Sequence, residues 1–332
     1  MRAGAAPAGR WRRQSELLRR GGTALAAALT ACLAGCGGGH RPVEPVRLAL
    51  DFTPNAAHSG IFAAVHDRRD RAHGVHLVVR EPSASTDSLK LLQAGRAELA
   101  VLDIHDLGLA RERGEQVVGV GALVQRPLAA VIAGPGVTRP RQLEGRRVGV
   151  TGLPSDDAVL RAVVQGDGGS FDRVRRITIG FSAVPSLVAR KVAAATAFWN
   201  VEGVTLRARG VRTSEFRVDA YGAPRYPELV VTTTAGLLKR KRGLIRRALA
   251  ALEDGTRAAL ARPDPVIAEI SRAGQADQGL VRRELAAIRP ALTPPVRLDR
   301  SRLDAWGAFD ARFGILKRRP DVAAAFDFSV AP

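Results

Sequence analysis

Along this 332-residue chain the period of apolar and polar positions changes repeatedly, and each change marks an element. Val46-Arg47-Leu48-Ala49-Leu50-Asp51 alternates as a strand does, Thr53-Pro54-Asn55 breaks it, and a helical stretch follows from about His58 to Asp67. Val75 to Val79 is the next strand. Ser85-Thr86-Asp87 caps a helix that runs to Gln93 and stops at Gly95. Glu98 to Leu102 is a third strand, followed by a helix to Arg113 and a strand over Val117 to Val120. Strands alternating with helices predict a mostly parallel sheet with helices on both faces.

The pattern then repeats. Val148-Gly149-Val150 leads through Gly152-Leu153-Pro154-Ser155-Asp156-Asp157 into a helix from about Ala158 to Val164, and Ile177-Thr178-Ile179 is the strand beside it. Leu187 to Ala197 echoes Leu91 to Val101 as helix, turn and small-residue strand, so two similar α/β units are expected. Ala122 to Gly134 and Tyr221 to Thr234 read as two hinge strands between them. Residues 46–125 with 226–332 then form one lobe and 126–225 the other. From Leu237 onward the period is helical, and this tail is expected to pack on the first lobe.

Ahead of these elements stands a stretch of a different kind. Arg10, Arg12, Arg13, Arg19 and Arg20 precede an apolar run from about Gly21 to Leu33, which ends at Leu33-Ala34-Gly35-Cys36. That order is the order of a secretory leader, and Leu-Ala-Gly-Cys resembles the bacterial lipobox. The run is shorter than the ~20 residues a spanning helix needs. The expectation is a signal peptide over residues 1–35, a lipidated Cys36 and a Gly- and Pro-rich tether over 36–45, holding the protein on the extracytoplasmic face of the cell membrane. Arginine doublets are common here, so Arg12-Arg13 does not assign twin-arginine export.

Charge changes the picture less than its size suggests. The formal net charge is +19, and without residues 1–35 it is still about +14. A membrane-proximal surface accounts for this better than nucleic acid, because an exported chain meets no chromosome. The two cysteines are Cys32, in the leader, and Cys36, which leaves the folded part without a thiol and excludes disulfides and Cys-ligated zinc. His66, His73 and His76 lie near Asp67 and Asp70, but their spacing fits no compact tetrahedral set and they read as surface histidines; no metal is expected.

At Leu50-Asp51-Phe52-Thr53-Pro54-Asn55-Ala56-Ala57-His58-Ser59-Gly60 the chain resembles the substrate-binding lipoproteins of ABC importers, in the thiamine-pyrimidine-precursor-binding (NMT1/THI5-like) family. Ala110-Arg111-Glu112-Arg113-Gly114, Asp156-Asp157-Ala158-Val159-Leu160 and Phe198-Trp199-Asn200-Val201-Glu202-Gly203 fit the same family. The resemblance implies a type II periplasmic-binding-protein fold: two α/β lobes joined by two hinge strands, with a ligand cleft between them. It further implies a small heteroaromatic ligand, an ABC permease as partner, a monomer and no cofactor.

In such sheets the ligand sits beyond the carboxyl ends of the strands. Asp51, Phe52, Asn55, His58, Ser85, Asp87 and Asp103 stand there in one lobe. Ser155, Asp156, Trp199, Asn200 and Glu202 stand there in the other. A basic protein thus gathers carboxylates at its cleft, which selects an amine, amidine or aminopyrimidine over a phosphate or carboxylate. Glu202 can grip an amino group and ring nitrogen as a bidentate acceptor, Phe52 and Trp199 can sandwich a ring, and Asn55 and His58 can fix its polar edge. Resemblance places the pyrimidine against Glu202 and the Asn-His loop.

Each residue has a plainer role open to it: Asn55 and His58 as shapers of a loop, Asp156 as a first-turn carboxylate, Trp199 as core. The same fold includes a fungal pyrimidine synthase with a lysine-held pyridoxal phosphate and a cysteine cluster. Val101-Leu102-Asp103 has no lysine and 224–234 no cysteine, so catalysis is not expected. A ligand-presenting sensor lipoprotein is the other alternative. Among ligands a thiamine pyrimidine precursor comes first, a flavin stays open, and an acidic cleft argues against sulfonates.

Overall fold

The computed structural model describes residues 43–84 and 86–332. The leader, Cys36, the tether as far as residue 42 and Ser85 lie outside the described residues. Strands β1 (Glu44–Ala49), β2 (Val75–Arg80), β3 (Leu99–Asp103) and β4 (Val117–Ala122) come first. Strands β5 (Ala129–Ala133), β6 (Arg147–Val150), β7 (Arg175–Thr178), β8 (Ala194–Phe198) and β9 (Ser214–Arg217) follow, and β10 (Leu229–Thr234) comes last.

They make two sheets with the orders β2-β1-β3-β10-β4 and β7-β6-β8-β5-β9. In each, three parallel strands carry an antiparallel fourth and then a fifth: β1 lies parallel to β2 and β3, and β6 to β7 and β8, whereas β10 and β5 run antiparallel to their neighbours. The antiparallel strand of each sheet is the one that has just arrived from the other. Alternation in β1 buries Val46 and Leu48, while every residue of β5, Ala-Ala-Val-Ile-Ala, is buried because helices or loops cover both faces.

Helices α1 (Ser59–His66), α2 (Arg69–Ala72), α3 (Asp87–Gln93) and α4 (Ile104–Glu112) belong to the first sheet. Helices α5 (Pro154–Gly166), α6 (Ala183–Val188) and α7 (Val204–Ala208) belong to the second. The tail adds α8 (Ala235–Ala261), α9 (Pro263–Ala273), α10 (Gln278–Ile288), α11 (Arg300–Arg312) and α12 (Val322–Ala325). α8 lies along α1, α2 and β2, and α10 reaches both lobes, touching the 3-10 turn Ala56–His58 and the π turn Trp199–Gly203. Among the described residues no helix is long and apolar enough to cross a membrane.

The two hinge strands expected from sequence resolve into the ends of β4, β5 and β10, joined by irregular links over 123–128 and 222–228. A chain leaving one sheet has no ladder neighbour until it enters the next, and Pro127, Pro224 and Pro227 have no N–H to give. The links are still tied: Leu123 N donates to Leu229 O at 2.8 Å and Gln125 N to Ala291 O at 2.7 Å. The helix after β6 starts at Pro154 rather than near Ala158, since proline suits the first turn, whose N–H has no helical partner.

Candidate functional site

A cavity of about 310 Å³ lies between the sheets, beyond the carboxyl ends of β1, β3, β6 and β8. Asp51, Phe52, Asp103, Ser155, Asp156 and Glu202 line it, half of the twelve positions expected from sequence. Asp106, Thr151, Phe181 and Thr196 line it as well. Arg113 is the basic residue of the lining, and its Nε donates to Glu115 at 3.0 Å. The wall is therefore apolar surface punctuated by five carboxyl groups.

Each carboxyl has a different fixture. Asp51 follows β1, and its Oδ1 accepts from His58 Nε2 at 2.9 Å. His58 Nδ1 accepts from Asn55 N at 3.3 Å, and Asn55 caps the turn by accepting from Ala57 N at 2.8 Å. The Asn-His loop thus reaches the cavity through Asp51; neither Asn55 nor His58 lines it, because their polar atoms are spent on holding the loop. Asp103 caps α4 by accepting from His105 N at 2.8 Å. Burial, and next the charge of Glu228, hold its pKa well above the carboxylate range.

Asp106 accepts from Ser155 Oγ at 3.2 Å, a bond from one lobe to the other. Burial first, then the charges of Asp103 and Asp156, raise its pKa. Asp156 is the most fully bonded. It accepts from Thr151 Oγ1 at 2.8 Å, Gly152 N at 3.0 Å, Leu153 N at 3.2 Å and the Thr196 hydroxyl, so it braces the β6–α5 turn while facing the cavity. Glu202, in the π turn after β8, accepts from Phe198 N at 3.1 Å with one oxygen. Burial pushes its pKa up to about 7.

The aromatic clamp differs from the one expected. Phe52 meets Phe181 across the cleft, centroids 4.4 Å apart and planes at 70°. Trp199 does not take part: its Nε1 donates to Pro127 O at 3.1 Å and Arg217 lies 4.3 Å from its ring centroid, so it packs behind the first link. Asn200 is fully buried beside it, outside the cavity lining, with neither amide atom bonded. Asp87 is also outside the lining, although its neighbours Thr86 and Ser88 belong to it; it accepts from Ser83 N at 2.7 Å and Ala84 N at 2.9 Å in an exposed turn, and the Ser83 hydroxyl leads the bonds that lower its pKa. Ser85 lies outside the described residues.

Of three groups near the site, two carry no mark in the local pattern. Phe181 follows β7 in a short turn, and Glu228 sits on the second link. Glu284 does leave a trace: it occupies the apolar stripe Val281, Leu285, Ile288 of α10. Burial, against a bond from Ala56 and with the charge of Glu202, pushes it up to about 8. The three histidines noted in sequence pair with separate carboxylates, His66 with Glu269, His73 with Asp254 and His76 with Asp70.

A family model described as NMT1/THI5 like matches residues 55–266. A formylaminopyrimidine-binding protein of Halalkalibacterium halodurans is 30% identical over 206 residues, 61% of this chain and 62% of that protein, so the match spans under two thirds of the relative. A 4-amino-5-hydroxymethyl-2-methylpyrimidine phosphate synthase of Saccharomyces cerevisiae is 27% identical over 113 residues, 33% of each chain. Among solved structures, the alkanesulfonate-binding protein SsuA from Xanthomonas axonopodis pv. citri bound to MOPS aligns with a TM-score of 0.70 over 86% of this chain and 99% of that one, at 16% identity. Likeness at that identity speaks to the fold alone, two α/β lobes of the periplasmic-binding-protein kind.

Proposed function

Since the chain belongs to the NMT1/THI5-like family and folds as a periplasmic binding protein, we propose that it captures a thiamine pyrimidine precursor between its lobes and delivers it to an ABC permease. The observation that carries this reading is Glu202, a buried carboxyl at the cavity wall whose pKa lies near neutrality. An aminopyrimidine edge offers an exocyclic N–H beside a ring nitrogen. A neutral carboxyl matches it with one donor and one acceptor, and a carboxylate matches its protonated form with two acceptors. A group poised near neutral pH serves either form.

Phe52 and Phe181, in edge-to-face contact with each other across the cleft, give the cavity an apolar wall against which a ring can pack. Asp51, Asp103, Asp106 and Asp156 supply further hydrogen-bonding groups for ring substituents. Ligand contacts on both lobes favour the closed form by their differential affinity for it. Among the described residues that line the cavity none is Lys or Cys, which favours binding over the lysine-held cofactor chemistry of a synthase. The leader ending at Cys36 supports a lipoprotein held on the extracytoplasmic face of the membrane.

Thermal-shift titration separates the ligand classes. The expected outcome is a rise in melting temperature with 4-amino-5-hydroxymethyl-2-methylpyrimidine and none with an alkanesulfonate. Stabilisation by the sulfonate alone would overturn the assignment.

A further inference from the structure

Strand register fixes which edge of the first sheet lies opposite the cavity. Glu44 of β1 pairs with Val75 at the start of β2, and Thr234, the last residue of β10, pairs with Val117 at the start of β4. The cavity lies beyond the other ends of these strands, so the chain enters the fold at Glu44, and α8 begins at Ala235, on the side turned away from the ligand. Side chains tie the two points together. Arg247 of α8 is paired with Glu44, and its guanidinium lies beside Gly74 at the foot of β2.

This side carries more cations than its carboxylates take up. Arg247 is held by Glu44, Arg242 by Asp327 at 2.7 Å and Arg47 by Glu98 at 3.0 Å. Lys239, Arg240 and Lys241 stand exposed in a row where α8 departs from helical angles, with Lys241 at φ −128° and ψ 35°. Among the described residues none of these three has a carboxylate partner. Arg246 is exposed as well and donates to the Ser329 carbonyl at 3.2 Å. From Ala235 to Arg247 the helix holds six cations and no acid; Glu253 and Asp254 come only beyond. Eight residues of helix span about 12 Å, which gathers Lys239, Arg240, Lys241 and Arg246 beside the point where the chain enters.

We propose that this face of α8 rests on a bilayer bearing anionic phospholipid. Tether length and charge both point to that partner. The eight steps from Cys36 to Glu44 reach about 30 Å at most, so an acyl group on Cys36 keeps Glu44 and the cations beside it close to the headgroups. Exposed Lys and Arg are drawn to a negative membrane surface within a Debye length, about 10 Å at 0.1 M salt. A protein resting on this side turns the ligand cleft, at the opposite ends of the strands, towards solution, so capture proceeds while the chain is parked. The placement rests on the membrane-held reading above, whereas the affinity of the face for lipid does not need the acyl group.

The mature chain, residues 36–332, carrying Cys36→Ser so that it cannot be acylated, tests the face by co-sedimentation with phosphatidylglycerol or phosphatidylcholine vesicles at about 20 mM and about 300 mM salt. Binding is expected to phosphatidylglycerol at the lower salt, with loss at the higher, and none to phosphatidylcholine. Combined Lys239→Gln, Arg240→Gln, Lys241→Gln and Arg246→Gln should weaken it about 100-fold or more. Combined Arg175→Gln, Lys191→Gln, Arg209→Gln and Arg212→Gln removes as much charge from exposed positions of the second lobe and should bind as the parent does. A parent that does not bind, a first variant that still does, or equal loss in the two variants would overturn the role. All eight positions are exposed, and melting curves report that each variant folds. With no acyl group and no pyrimidine in the assay, failure of lipidation or of ring capture leaves the result untouched.

Discussion

Glu202 and Glu284 come from different lobes, one on the π turn and one on α10, and burial keeps both from ionising at their ordinary values. Unfolded, each titrates near 4.5; folded, near 7 and 8. Between these values the native protein holds protons that the unfolded chain has released, so stability falls as pH rises. The contribution is fully present below about pH 4.5 and is lost above about pH 8. Melting temperature should therefore drop between about pH 6 and about pH 8.5, and Glu284→Gln should lessen the drop. At the same scale, Glu202→Gln keeps the volume but fixes the proton pattern of the grip. Affinity for 4-amino-5-hydroxymethyl-2-methylpyrimidine, read by calorimetry, should weaken about 10- to 100-fold, the worth of one hydrogen bond to a charged group. Of the two, Glu202 stands out in sequence as a carboxylate after an apolar strand. Glu284 is visible only as a charge on an otherwise apolar helical stripe.

Among elements, the contact of α1 with α8 shows how small residues set spacing. A Cβ at Gly255 would collide with the Gly60 carbonyl and the Ala64 side chain, so the two helices approach with backbone against backbone. Gly255→Ala is expected to destabilise the protein by about 1–3 kcal/mol in urea denaturation, the cost of forcing packed helices apart. Because α1 follows the Asn55–His58 loop, the same substitution should also loosen Asp51. Most element types follow from their periods: alternation gave β1 and β2, and the break at Gly95 ends α3, whereas the cap that Asp103 gives α4 is seen only in the structure. The two expected hinge strands contain β5 and β10, but 123–128 and 222–228 within them are irregular links, since an apolar extended run looks alike whether or not a ladder neighbour is present.

For the whole molecule, the antiparallel strand that each sheet receives from the other makes the lobes mutually dependent. It also brings both links to one side of the cavity, where Glu228 joins them. Ligand seated in the cavity that Phe52 and Phe181 both line should hold the lobes together. Addition of 4-amino-5-hydroxymethyl-2-methylpyrimidine is expected to lower the radius of gyration and to slow amide exchange in 123–128 and 222–228. Unchanged scattering on saturation would mean that the ligand enters a cleft already shut.

The sequence alone determined the two α/β units, the acidic character of the cleft and six of its lining residues, because strand period and the residues just past each strand are local properties. It could not separate residues that face the cavity from those that hold them. Asn55, His58 and Trp199 share motifs with Asp51 and Glu202, yet their polar atoms are taken up by loop and link. Only the tertiary structure decided that division, along with the meeting of Phe52 with Phe181 and of Glu228 with Leu128. Each pairs residues more than eighty positions apart, and such proximity is fixed by how the two sheets exchange strands rather than by any short-range pattern.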